Sequence, residues 1–243
     1  MPPHSGTSTP AYVAIAATLR DRITVDSLAP HTLLPSEREL CDEFEVSRMT
    51  ARHALTLLEN EGAVYRRPPR GTFVAEPRVN FRIGSFSDEI TRVGLHPGAQ
   101  VLWSETQEAS TVVADALALD SPAQVNALQR LRYADAEPIA IETTYFSAAL
   151  TPGLLDGPLD GSLWAIIAGR YDVIATDARA TLQSIVIDDT SCKRLGVRSA
   201  SSGILLERRT FDADGRCFEF ARDVYRSDRA TFEVSASIPQ DVG

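Results

Sequence analysis

Apolar residues Val13, Ala16, Ala17, Leu19 and Ile23 recur at helical spacing, so a first amphipathic helix is predicted over Tyr12 to Ile23. The next stretch reads LLPSERELCDEF. In it Ser36, followed three residues later by Glu39, forms a capping box that opens a helix running to about Glu43. Ser47 is a second capping residue, and Gly62 is a natural terminator for the helix between them. On that helix Ala51, Ala54, Leu55 and Leu58 fall on one stripe. Met49, Arg52, His53 and Thr56 lie opposite, with Arg48 at the stripe's edge in the first turn. Two helices joined by Phe44, Glu45 and Val46 predict a helix-turn-helix.

The period then changes. AVYRRPPRGTFVAEP sets apolar and cationic residues around Pro-Pro-Arg-Gly, which reads as a two-stranded ribbon with a tight basic tip. Helix, turn, helix and ribbon make a winged helix over residues 1–75, and the pattern lapses at a proline within a linker over 76–80. Over 81–243 long strands are expected at Val101 to Gln107, Gln124 to Tyr133, Pro138 to Phe146, Ala178 to Ile187, Gly203 to Asp212 and Arg216 to Arg226. Helices are expected near Thr111 to Leu117, Ser162 to Ala168 and Thr190 to Leu195. The turn signals Asp135-Ala136-Glu137 and Asp214-Gly215 join neighbouring strands, so the sheet is mainly antiparallel with helices packed on it and the class is α+β.

Charge changes this picture only through its position. The formal net charge is −9; residues 1–77 hold 8 Lys and Arg against 10 Asp and Glu, which leaves 16 against 23 for the rest. Yet Arg38, Arg48, Arg52, Arg66, Arg67 and Arg70 all fall on the second helix, the third helix and the ribbon. No stretch reaches the roughly 18 to 20 apolar residues of a membrane span. The first ten residues lack an export signal, so a cytoplasmic location and no membrane partner are expected. Cys41, Cys192 and Cys217 form no Cys-x-x-Cys, and His4, His31, His53 and His96 are scattered, so neither a disulfide framework nor a metal site is expected. With no nucleophile elbow and no phosphate-cradling glycine loop, the reading is not an enzyme, and it requires no cofactor.

A helix that enters the major groove needs an N-terminus near phosphate and side chains that reach base edges, and Arg is the commonest reader of guanine. Arg48, Thr50 and Arg52 fit that requirement. Arg38, and Arg70 with Gly71 at the ribbon tip, add phosphate or minor-groove contacts, Gly71 because bare backbone can approach closely. A single charged helix is commonly just a solvated surface. Arginines on three elements of one unit point instead to double-stranded DNA.

LPSERELCDEFEVSRMTARHALTLLENEGAVYRRPPRGTFVA resembles the DNA-binding domain of the GntR family of bacterial transcription regulators, nearly continuously from about Tyr12 to Ala75. The remainder resembles the ligand-sensing (UTRA) domain of its HutC subfamily, a fold similar to that of chorismate lyase. The resemblance implies DNA contacts by Arg38, Arg48, Thr50, Arg52 and Gly71. The sequence departs from the usual pattern at His53, where glutamine is common, and at Pro68-Pro69, where a Gln-Gly-like pair is usual.

In the second domain Arg130 and Arg132 share a strand face by alternation, and Glu142 lies on the next strand. If Asp135 to Glu137 form a three-residue loop, Arg130 lies directly across from Glu142. The residues alone leave two readings open: a pocket for an anion bearing hydroxyl or amine groups, or a structural ion pair. The resemblance implies an effector pocket lined by the segments of Arg130, Arg132, Glu142, Ser162, Glu219 and Tyr225, with Ser85, Phe86 and Ser87 closing over the ligand. Trp164 stands where amino-sugar-phosphate sensors often show tyrosine. Trp103, Phe146, Phe211, Phe220 and Phe232 are expected in the core, and Asp228-Arg229, by chemistry alone, in a surface turn.

The expectation is a homodimer on a pseudo-palindromic operator, because one winged helix reads only a few base pairs. It is a repressor released by a small anionic effector, first a phosphorylated amino sugar or sugar, with a carboxylate such as a histidine-degradation intermediate as the alternative. A chorismate-lyase-like enzyme and a ligand-free architectural DNA binder are the rivals from other classes.

Overall fold

The capping box forms as the sequence predicts. Ser36 Oγ accepts from Glu39 N at 3.3 Å, and Ser36 N donates to Glu39 Oε2 at 2.7 Å. These bonds satisfy otherwise orphaned amides and start α2 (Glu37–Phe44), which ends where Glu45 adopts a left-handed φ of 51°. In the same computed structural model, which describes residues 9–120 and 122–234, α1 is Ala11–Val25 and α3 is Arg48–Asn60. The first ten residues, on which the expectation of no export signal rests, lie almost wholly outside the described residues, and His4 is among them.

Ser47 caps α3 by accepting from Thr50 N at 3.2 Å. Ala51, Ala54, Leu55 and Leu58 are buried together with Leu19 of α1 and Leu40 of α2. That stripe anchors α3 through its apolar side, so the opposite face is left to solvent. The ribbon follows as β1 (Val64–Arg67) and β2 (Gly71–Val74), paired antiparallel from Val64 with Val74 to Arg67 with Gly71. Gly71 has φ +124°, and a Cβ there would stand 2.8 Å from Leu33 Cδ1, so the tip requires glycine.

The chain divides into two compact units, Met1–Arg78 and Val79–Gly243. The second opens with β3 (Val79–Phe81), α4 (Phe86–Arg92), β4 (Pro97–Glu108) and α5 (Thr111–Leu117). β5 (Gln124–Ala134), β6 (Glu137–Ser147), α6 (Leu163–Tyr171), β7 (Asp177–Val186) and α7 (Asp189–Leu195) follow. β8 (Ser202–Phe211), β9 (Cys217–Arg226) and β10 (Ala230–Phe232) complete it. Six strands form one antiparallel sheet in the order β4-β5-β6-β9-β8-β7, and β3 pairs with β10 in parallel. Phe86 and Ile90 of α4, and Leu163 and Ile167 of α6, pack with residues of one sheet face, while α5 and α7 pack on the other.

Three local expectations change. The β5–β6 connection is a two-residue turn, with Ala134 paired to Glu137, rather than a three-residue loop. A β-bulge between Arg132 and Tyr133 supplies the missing residue of offset, so Arg130 still faces Glu142. Within the stretch read as linker, Val79 and Asn80 belong to β3, because Val79 and Phe81 turn inward against Ala230 and Phe232. Arg229, read as part of a surface turn, is buried, and its Nη2 meets Glu137 Oε2 at 2.6 Å. Among the described residues no helix is long and apolar enough to cross a membrane.

Candidate functional site

The candidate functional side chains fall in two places. In the first unit, Arg48 and Arg52 project from the exposed side of α3, with side chains 77% and 47% accessible, and a single carboxylate, Glu37, lies between them. Glu37 is held below the usual carboxylate range, first by the Arg52 hydrogen bond, against the opposing effect of partial burial, and then by Arg48. Thr50 is half-buried and its hydroxyl is 2.9 Å from Ser47 Oγ, so it is engaged in the cap. Arg38 is exposed on α2, and Arg70 is exposed at the ribbon tip beside Gly71. Arg66 differs: its Nη2 donates to Arg52 O at 3.2 Å and Thr56 Oγ1 at 3.0 Å, which ties the ribbon to α3.

In the second unit a narrow cleft, partly open to solvent, lies between the sheet and the beginnings of α4 and α6. Strand alternation points Arg130, Arg132, Glu142, Arg208 and Glu219 to one face. Arg130 is 1% exposed and saturated: Nε donates to Glu142 at 2.7 Å, and Nη1 donates to the carbonyls of Leu159 and Gly161 at 2.9 and 2.7 Å. Arg132 Nη1 donates to both Glu142 oxygens at 3.2 and 3.1 Å, and its Nη2 donates to Ser87 Oγ at 3.0 Å. Its guanidinium also lies 4.3 Å from the centre of the Phe86 ring. Burial alone would raise the Glu142 pKa, but Arg130 and Arg132 outweigh it and hold the carboxyl down at about 2.

Across the cleft Glu219 Oε2 accepts from Thr210 Oγ1 at 2.6 Å, Trp164 Nε1 at 2.9 Å and Arg208 Nη2 at 3.2 Å. Arg208 Nη1 donates to Gly84 O at 2.8 Å, so this arginine binds the chain just before α4 to the sheet. Ser85 and Ser162, the caps of α4 and α6, bring their hydroxyls to 3.5 Å from each other. Deeper on the same face, Asp223 lies opposite Glu142, and Asp223 Oδ1, Thr144 Oγ1 and Arg208 Nε have no hydrogen-bond partner. Burial, and then the Glu142 charge, raise the Asp223 carboxyl well above its ordinary value.

The structure thus gathers Ser85, Phe86, Ser87, Arg130, Arg132, Glu142, Ser162, Trp164 and Glu219 around one cleft. Tyr225, expected with them, does not line it. Its ring packs against Phe81 and Phe232 at 5.0 Å each and Phe86 at 6.4 Å, which places it behind the cleft wall. Leu163 and Arg208 line the cleft and were not anticipated. Arg208 sits in the run LLERRTF, where Leu205 and Leu206 are equally apolar, so alternation alone leaves open whether Arg208 or Arg209 faces inward.

Known families match both parts of the chain. Residues 11–74 match the family described as "Bacterial regulatory proteins, gntR family", and residues 92–231 match the UTRA domain. The chain is 31% identical to the HTH-type transcriptional repressor NagR of Bacillus subtilis over 92% of its length and 93% of the relative's. It is 27% identical to the histidine utilization repressor of Pseudomonas putida, over 83% of this chain and 82% of that one. The crystal structure of PhnF from Mycobacterium smegmatis superposes with a TM-score of 0.67 at 32% identity, covering 93% of this chain and all of that one. These relatives are named for regulation rather than for catalysis. The chain belongs to the GntR family and, within it, to the HutC subfamily of transcriptional repressors, which join a DNA-binding winged helix to a UTRA effector-binding domain.

Proposed function

We propose that this chain is a homodimeric repressor that grips a pseudo-palindromic operator through its first unit and releases it when a small anionic metabolite fills the cleft of the second. Arg48 and Arg52 read bases, Thr50, Arg38 and Arg70 contact backbone, and Gly71 lets the ribbon tip approach the duplex. The observation that carries the effector reading is the mixed lining of the cleft: hydroxyls of Ser85, Ser87 and Ser162 and the Arg208 guanidinium stand with the carboxylates of Glu142 and Glu219. Such a lining suits a ligand with an anionic end and several hydroxyls, and a phosphorylated sugar has both.

A carboxylate effector is the second reading, favoured by the relative named as the histidine utilization repressor. Thermal-shift titration of the full chain with hexose and hexosamine 6-phosphates, set against small carboxylic acids, separates the two. A true effector raises the melting temperature by mass action and lowers duplex binding in the same concentration range. If neither class does so, the effector reading fails.

A further inference from the structure

Glu37 is the first residue of α2, yet its carboxylate faces α3. Oε1 accepts from Arg52 Nε at 2.9 Å, while Oε2 accepts from Arg48 Nε at 3.1 Å and Arg52 Nη2 at 3.2 Å. Arg48 and Arg52 are one helical turn apart, and unpaired they would repel each other. One carboxylate between them removes that repulsion and holds two otherwise mobile side chains by their inner edges. Arg48 is held through Nε alone and Arg52 through Nε and Nη2, which leaves the outer Nη groups directed away from Glu37. Arg66 steadies the α3 side of this arrangement through Arg52 O and Thr56 Oγ1.

Charge alone argues against a carboxylate in this place. On a surface that meets phosphate it weakens the sequence-independent attraction that supplies non-specific binding. What it does contribute is geometry. A guanidinium already fixed at its inner edge loses less rotamer freedom when its outer edge meets guanine O6 and N7, and it meets them at a set position.

We propose that Glu37 is a positioning residue for sequence reading: by holding the inner edges of Arg48 and Arg52 it raises discrimination between the operator and other DNA, at the expense of general DNA affinity. This rests on the DNA-reading role given to Arg48 and Arg52 above.

The test uses the full chain. The wild type first selects its preferred duplex from a random pool, and dissociation constants are then measured on that duplex and on a scrambled one for wild type, E37Q, E37D, R48A and R52A. For E37Q the selected-to-scrambled affinity ratio is expected to fall about tenfold or more, with affinity for the scrambled duplex unchanged or higher. E37D keeps the charge but is one methylene short of spanning both arginines, so it loses the ratio without the gain on scrambled DNA. A ratio within twofold of wild type in both variants overturns the proposal, as does an equal loss on both duplexes, which marks a merely structural role. Should E37Q fail to fold, E37D decides. If R48A and R52A also leave the ratio unchanged, the DNA-reading assignment itself fails; if they lower it while the Glu37 variants do not, only the positioning role does.

Discussion

Arg130 and Glu142 face each other directly across β5 and β6, joined by a 2.7 Å hydrogen bond between side chains 1% and 8% exposed. Desolvation of such a pair costs free energy that is returned only while both partners are present. Glu142→Ala leaves Arg130 and Arg132 buried without their shared carboxylate, and is expected to destabilise the second unit by about 3–5 kcal/mol. Urea unfolding followed by tryptophan fluorescence measures this, because Trp103 and Trp164 both lie in that unit.

The two carboxyls Glu142 and Asp223 bend the pH dependence of stability in opposite directions. Glu142 is depressed from 4.5 to about 2, so its contribution is present above pH 4.5 and is lost as pH falls toward 2. Asp223 is raised, first by burial and then by Glu142, so its contribution is present below its ordinary 3.8 and is lost as pH rises through the raised value. Asp223→Asn is therefore expected to raise the melting temperature at neutral pH. Glu142→Gln is expected to flatten the acid limb between pH 4.5 and 2. Thermal melts across pH 2–8 check both signs.

At the ribbon tip, Gly71→Val is expected to cost about 1–3 kcal/mol, since a side chain there is strained by its positive φ and meets Leu33. The loss should localise. Hydrogen exchange should quicken at the Leu34 and Val74 amides, which donate to Thr72 O and Thr32 O at 2.8 and 2.9 Å.

Trp164 donates Nε1 to Glu219 in the cleft wall, and the Arg208 guanidinium lies 5.1 Å from the centre of its ring. An effector in the cleft is expected to change Trp164 emission, while Trp103 gives the background in Trp164→Phe. That variant also loses one hydrogen bond to a carboxylate, and its stability is expected to fall by about 1.5–3 kcal/mol, measured by urea unfolding.

Local rules made much of this readable from sequence. The Ser36–Glu39 box, the Ser47 cap and the Ala51–Leu58 stripe depend on residues within a turn or two of each other, and they appear where periodicity puts them. The long strands were equally visible, and α5 spans the predicted Thr111–Leu117. What escaped depends on distant contacts. β3 and β10 have three residues each, too few to show a period, and exist because they pair with one another across the domain. α4 has seven residues, and its position relies on Arg132 and Arg208 reaching from the sheet. Tyr225 shares the face of Glu219 by even spacing, yet three phenylalanines cover it, and spacing cannot report what packs on top.

Binding of duplex DNA by arginines gathered on the first unit, in a chain of net charge −9, is open to direct test. The most direct measurement is a salt titration of duplex affinity for the full chain beside the triple variant Arg48→Ala, Arg52→Ala, Arg70→Ala. The expected result is a steep fall in the logarithm of affinity with the logarithm of salt, a slope of about −0.9 per neutralised phosphate, and a shallower slope in the triple variant. No duplex affinity at low salt, or the same affinity and slope in both proteins, would contradict it.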